Sequence, residues 1–169
     1  LLHMELQEAK NSFIETWGQM SSQWGINRNM AQIHAMLLIA HKPVCAEDIK
    51  DKLQISRGSV CENLKHLLDW ELIYKKHRLG DRKEYYIAEK DMWTVAQRII
   101  KNRKKKELDP ILKTLEEYNA VECNCDESEE FKKMVTQIKT LTVKAHHGLE
   151  RIASSNSSWF YSVFLKLLP

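Results

Sequence analysis

The side chains of this sequence that could do chemistry are donors, acceptors and cations gathered in two short stretches. In the first, Arg57, Gly58, Ser59, Glu62, Asn63, Lys65 and His66 are interleaved with Val60, Leu64, Leu67 and Leu68, which recur at i, i+4, i+7 and i+8. That spacing predicts one helix with an apolar face and, opposite it, a face of hydrogen-bonding groups. The second stretch sets Lys75, Lys76 and Arg78 before Gly80, and Arg82 and Lys83 after it, between two β-prone runs. Fixed donors on a helix and mobile cations on a hairpin suit a nucleic-acid duplex, because its major groove admits one α-helix and its phosphates attract cations. On this reading Arg57 suits guanine or a phosphate, Asn63 suits adenine, and Glu62 accepts from cytosine N4. Gly58 leaves backbone N–H groups open to a phosphate, and Ser59, Lys65 and His66 complete the expected reading surface. Arg82, with Lys83 beside it, is expected to lay charge in the flanking minor groove; Lys75, Lys76 and Arg78 either meet phosphates or stay solvated.

Bond-making chemistry has no comparable support. There is no Gly-rich phosphate loop, no Gly-x-Ser-x-Gly, no His-Glu-x-x-His and no paired carboxylate in a suitable context, so neither an enzyme nor a cofactor is expected. Cys123-x-Cys125 with His146-His147 offers metal-ligating atom types at a spacing unlike a zinc site, so free thiols are the expected reading. Cys61, beside the polar helix face, is expected to be a small buried residue rather than an oxidant sensor. Five Trp in 169 residues are many. Most belong to a core, but Trp17, Trp24 and Trp93 are candidate walls of an effector pocket, since aromatic faces hold quaternary ammonium groups.

The elements that position these groups follow from periodicity. Residues 45–53, with Ile49 and Leu53 four apart, precede a short break and Ser56, a good N-cap, so the two helices make a helix-turn-helix. Residues 72–78 and 84–87 flank Leu79-Gly80-Asp81-Arg82-Lys83 as a β-hairpin with a basic tip. A helix-turn-helix followed at once by a hairpin is the order of a winged helix. Upstream lie an amphipathic helix over 5–22, which Gly18 and the Ser21-Ser22 pair are expected to end early, and a nearly unbroken apolar helix over 27–41, capped by Asn27 or Asn29 and stopped by Pro43. Downstream a long helix over 91–118 is expected to bend near Pro110, an acidic turn near 119–128 follows, and a final helix and an apolar tail at 159–168 close the chain. Residues 98–106 hold six bases and no acid, either a phosphate-binding flank or a solvated helix face.

The expected fold class is therefore mostly α (α+β): a winged helix-turn-helix domain at 27–90 with a two-stranded wing, and a helical dimerisation region at 5–26 and 91–169. No run of eighteen apolar residues and no secretory signal pattern is present, so a cytoplasmic protein without a membrane partner is expected. The net charge of +3 is too small to argue for a nucleic-acid partner by itself.

The stretch Leu53-Gln-Ile-Ser-Arg-Gly-Ser-Val-Cys-Glu-Asn-Leu-Lys-His-Leu, followed by Gly80-Asp-Arg-Lys-Glu-Tyr-Tyr, resembles the GbsR-like branch of the MarR superfamily. Met92-Trp93, the basic run and Leu108-Asp109-Pro110 fit that branch too, so the resemblance spans roughly Phe13 to Tyr118. It implies a homodimeric winged-helix transcriptional regulator, often a repressor, whose helices outside the wing unit form the dimer interface and whose operator is pseudo-palindromic double-stranded DNA. Some members of that branch resemble sensors of choline or other osmolyte precursors, which implies a small-molecule effector. The alternative of another class is a winged helix that docks proteins without reading DNA.

Overall fold

The computed structural model describes residues 5–118 and 125–156. They form two compact units divided between Met92 and Trp93.

The first unit is built around one buried helix. Helix α1 spans Leu6–Gln23 and α2 spans Arg28–Ile39. Strand β1 (Val44–Cys45) leads directly into α3 (Ala46–Leu53), and then come α4 (Arg57–Asp69), β2 (Ile73–Lys76) and β3 (Tyr85–Ala88). Asn27, not Asn29, caps α2, its Oδ1 accepting from the Met30 N–H at 3.1 Å. Ile33, Ala35 and Leu37 of α2 meet Ile49, Val60, Leu67 and Ile73 in a core from which water is excluded. Each of the buried Ile, Leu and Val side chains stabilises the fold by roughly 1.5–3 kcal/mol relative to exposure. Lys90, just past β3, donates its Nζ hydrogens to the carbonyls of Leu37, Leu38 and Ala40, placing a cation at the negative end of α2.

Three features differ from expectation. Gly18 does not end α1; it lies buried where α1 crosses α2, and a Cβ there would stand 2.6 Å from Gln32 Cγ. Its lack of a side chain lets two helices approach, and Glu15 then accepts from Gln32 Nε2 at 2.9 Å and pairs with Arg28. Helix α1, assigned from sequence to the dimerisation region, thus shares the core of the winged unit. The sheet also has three strands, not two, in the order β1-β3-β2 and antiparallel throughout. Val44 pairs with Tyr86 and Cys45 with Tyr85, which ties the start of α3 to the wing.

In the second unit α5 (Met92–Arg103) runs into a π-helical segment, Lys104–Leu108, and then α6 (Asp109–Tyr118). Pro110 has no N–H to give to the carbonyl four residues back, and the turn before it is widened. Helix α7 (Asp126–Ser154) returns antiparallel. Tyr118 meets Phe131, Lys139 lies 3.6 Å from Glu116, His146 Nε2 lies 3.2 Å from Asp109, and the Trp93 indole N–H donates to the Ser155 carbonyl. The apolar tail at 159–168 and Cys123 lie outside the described residues.

Candidate nucleic-acid interface

The turn between α3 and α4 is made by Gln54 in the left-handed region (φ 52°), a conformation supported by its side-chain amide donating to the Asp51 carbonyl at 2.6 Å. Ser56 Oγ then accepts from the Ser59 N–H at 3.2 Å and starts α4. Val60, Asn63, Leu64 and Leu67 turn inward, so the solvent-facing stripe of α4 consists of Arg57, Gly58, Cys61, Glu62, Lys65, His66 and Asp69.

Two residues expected to read bases do not belong to that stripe. Asn63 is only 4 % exposed and donates its amide to the Ser59 carbonyl (2.8 Å) and the Ser59 Oγ (3.3 Å). The same Oγ accepts from Asn29 Nδ2 of α2 at 3.0 Å. Ser59 and Asn63 therefore fasten α4 to α2, because a buried amide must find partners within the protein. Asn63→Ala should destabilise the fold by on the order of 1–3 kcal/mol in urea unfolding and leave sequence preference unchanged. A changed preference at undiminished stability would return Asn63 to the reading surface.

The hairpin is shorter in strand and longer in loop than its sequence suggests: Lys76 pairs with Tyr85, leaving residues 77–84 outside the ladder. Asp81 organises this loop, accepting from the Lys83 N–H at 2.9 Å and the Tyr85 hydroxyl at 2.7 Å. Those two donors, in that order, hold the Asp81 carboxyl below the usual carboxylate range. Arg78 lies over the Tyr85 ring at 4.1 Å, and Lys75 pairs with Glu84 at 2.7 Å, so both cations are engaged at the base of the wing. Glu84 also accepts from the Tyr86 hydroxyl, and burial together with that carboxylate pushes the Tyr86 phenol well up.

Between α3, α4 and the wing lies an open cavity of about 440 Å³ whose wall includes Lys50, Arg57, Cys61, Arg82 and Lys83. Glu47 and Glu84 also line it, so four cations face two carboxylates, and Lys50 is held by Asp51 at 3.1 Å. The Glu47 carboxyl is lowered chiefly by its own backbone N–H at the start of α3 and next by Cys45, with Lys83 and Arg57 adding their charge. Arg57, Arg82 and Lys83 are thus brought together. Lys50, Glu47 and Cys61 join them unforeseen: the first two share the exposed side of α3 opposite Ile49, and Cys61 follows Arg57 by one turn but is exposed rather than buried.

The remaining candidates are not among the residues that line this cavity. Trp17 packs against Phe13 with ring centres 5.5 Å apart, Trp24 is 69 % exposed, and Trp93 belongs to the second unit. Cys125 begins α7, where its N–H meets Ser128 Oγ, and His146 is paired with Asp109. Among the described residues no three metal-ligating side chains cluster. Of the basic run, Arg103 pairs with Glu107 and Lys104 with Glu150, so part of that charge closes the second unit. No described helix is long and apolar enough to cross a membrane.

No family model matches the chain. Over 157 residues it is 23 % identical to the HTH-type transcriptional repressor GbsR of Bacillus subtilis (strain 168), an alignment covering 89 % of this chain and 87 % of that protein. It is also similar to a solved structure described as a transcriptional regulator, with a TM-score of 0.55 and 16 % identity over 85 % of this chain and 99 % of that one. Helix-turn-helix α3–α4, continued by a hairpin on a three-stranded antiparallel sheet, has the winged-helix fold.

Proposed function

We propose that this protein is a DNA-binding transcriptional regulator of the GbsR type, a repressor acting as a homodimer. The observation that carries the reading is the cationic cavity between the exposed stripe of α4 and the wing. A duplex whose major groove receives α4 would run its phosphates past Arg57 and the wing cations. The similarity to a protein named a transcriptional repressor supports the same reading. For the homodimer, support comes from the second unit, where Ile111, Phe131, Met134, Ile138 and Leu141 are large apolar side chains left in water. A stripe of that kind marks a surface that another chain covers.

Fluorescence anisotropy with labelled duplexes, followed by selection from random DNA, tests the proposal. Affinity should fall linearly in log–log form with salt, and the selected sites should be inverted repeats with half-sites roughly one helical turn, about 34 Å, apart. Light scattering at micromolar concentration should give twice the chain mass of 19.9 kDa. A monomer would remove the homodimer, and no DNA binding at low salt would assign the winged helix to protein docking.

A further inference from the structure

We propose that Leu79 is an apolar wedge that enters the minor groove beside a half-site and unstacks one base step there. The inference rests on the DNA-binding reading above and adds to it a residue and a mode of contact.

Leu79 is 108 % exposed and contributes no burial to the fold. Single exposed apolar residues are ordinary on protein surfaces, so exposure is not the argument. The setting is. The Asp81 N–H donates to the Arg78 carbonyl at 3.2 Å, and Gly80 takes φ 81°. Leu79 and Gly80 are therefore the two central residues of a tight turn of type II, whose second central position needs a positive φ and so favours glycine. Leu79 occupies its first corner, at the end of the wing.

Both ends of this turn are anchored to one residue of β3. Arg78 stacks on the Tyr85 ring, and Asp81 accepts from the Tyr85 hydroxyl, while Tyr85 itself is buried. Leu79 is thus carried on a pre-ordered arm, and inserting it costs little further conformational entropy. Arg82 and Lys83 follow immediately and line the cavity beside α4. A surface that accepts this tip must therefore tolerate cations next to an apolar side chain. The minor groove does so: its phosphates attract the cations, and leucine is among the side chains that part base steps there. Pyrimidine–purine steps unstack most easily, so the wedge would also select sequence without a hydrogen bond to any base.

The test uses the full chain and the duplex it selects from random DNA, with 2-aminopurine replacing each flanking adenine in turn. The wild-type protein should raise 2-aminopurine emission at one flanking position per half-site. Leu79→Ala should abolish that rise and weaken binding by on the order of tenfold, with unchanged thermal stability, and Leu79→Phe should restore the rise. Full emission with Leu79→Ala, or no rise with a wild-type protein that binds the duplex, overturns the wedge while leaving DNA binding intact. A wild-type protein that binds no duplex at low salt overturns both.

Discussion

Acidification from neutral pH to about pH 4 should remove on the order of 3 kcal/mol of folding stability through His34 alone. His34 lies on α2 in the winged-unit core, only 4 % exposed, and its Nε2 has no hydrogen-bond partner among the described residues. Burial first, and the nearby Lys90 charge second, lower its pKa from 6.5 to about 4. The folded protein therefore keeps this imidazole neutral, whereas the unfolded chain takes up a proton below pH 6.5. Between pH 6.5 and about 4 the unfolded state binds more protons, so stability falls as pH falls, and the loss levels off once the folded form is protonated as well. Urea unfolding at fixed protein concentration, at pH 7 and pH 4.5, should show the wild-type midpoint dropping more steeply than that of His34→Leu. Parallel behaviour of the two proteins would show that His34 is not the buried titrating group.

Replacing Arg57, Arg82 and Lys83 together by Ala should lower DNA affinity on the order of a hundredfold at physiological salt and leave folding stability nearly unchanged. Each phosphate contact releases about 0.9 of a counterion, which at about 0.15 M salt amounts to a factor of roughly five relative to 1 M. Three contacts multiply to that loss, and the slope of log affinity against log salt should flatten by about three units. All three side chains are exposed, so their removal leaves no buried group unsatisfied. Lys75→Ala is the matched control: its ammonium is held by Glu84, so its loss should move affinity little. Anisotropy titrations over a salt series measure both quantities. An unchanged slope in the triple variant would place the phosphate contacts elsewhere.

The order of elements was legible in the sequence because helices declare themselves by period. Val60, Leu64 and Leu67 placed α4 and gave it an inner face, and Ser56 and Asn27 marked helix starts by a capping chemistry that depends only on near neighbours. The inward position of Asn63 was legible too, since 60, 63, 64 and 67 fall on one side of a helix; its polarity alone suggests the outer face. What the chain could not disclose depends on residues far apart in it. Strand β1 has two residues and no period, and it exists only because Tyr85 and Tyr86 offer it a paired edge. Gly18 reads as a helix breaker until Gln32 is seen against it, because a close approach is a property of two helices. In the same way the charges of Lys75, Arg78 and Lys104 are equal in sequence to those of Arg82 and Lys83. Only the tertiary structure, by setting Glu84, Tyr85 and Glu150 beside the first three, decides which cations remain open to a partner.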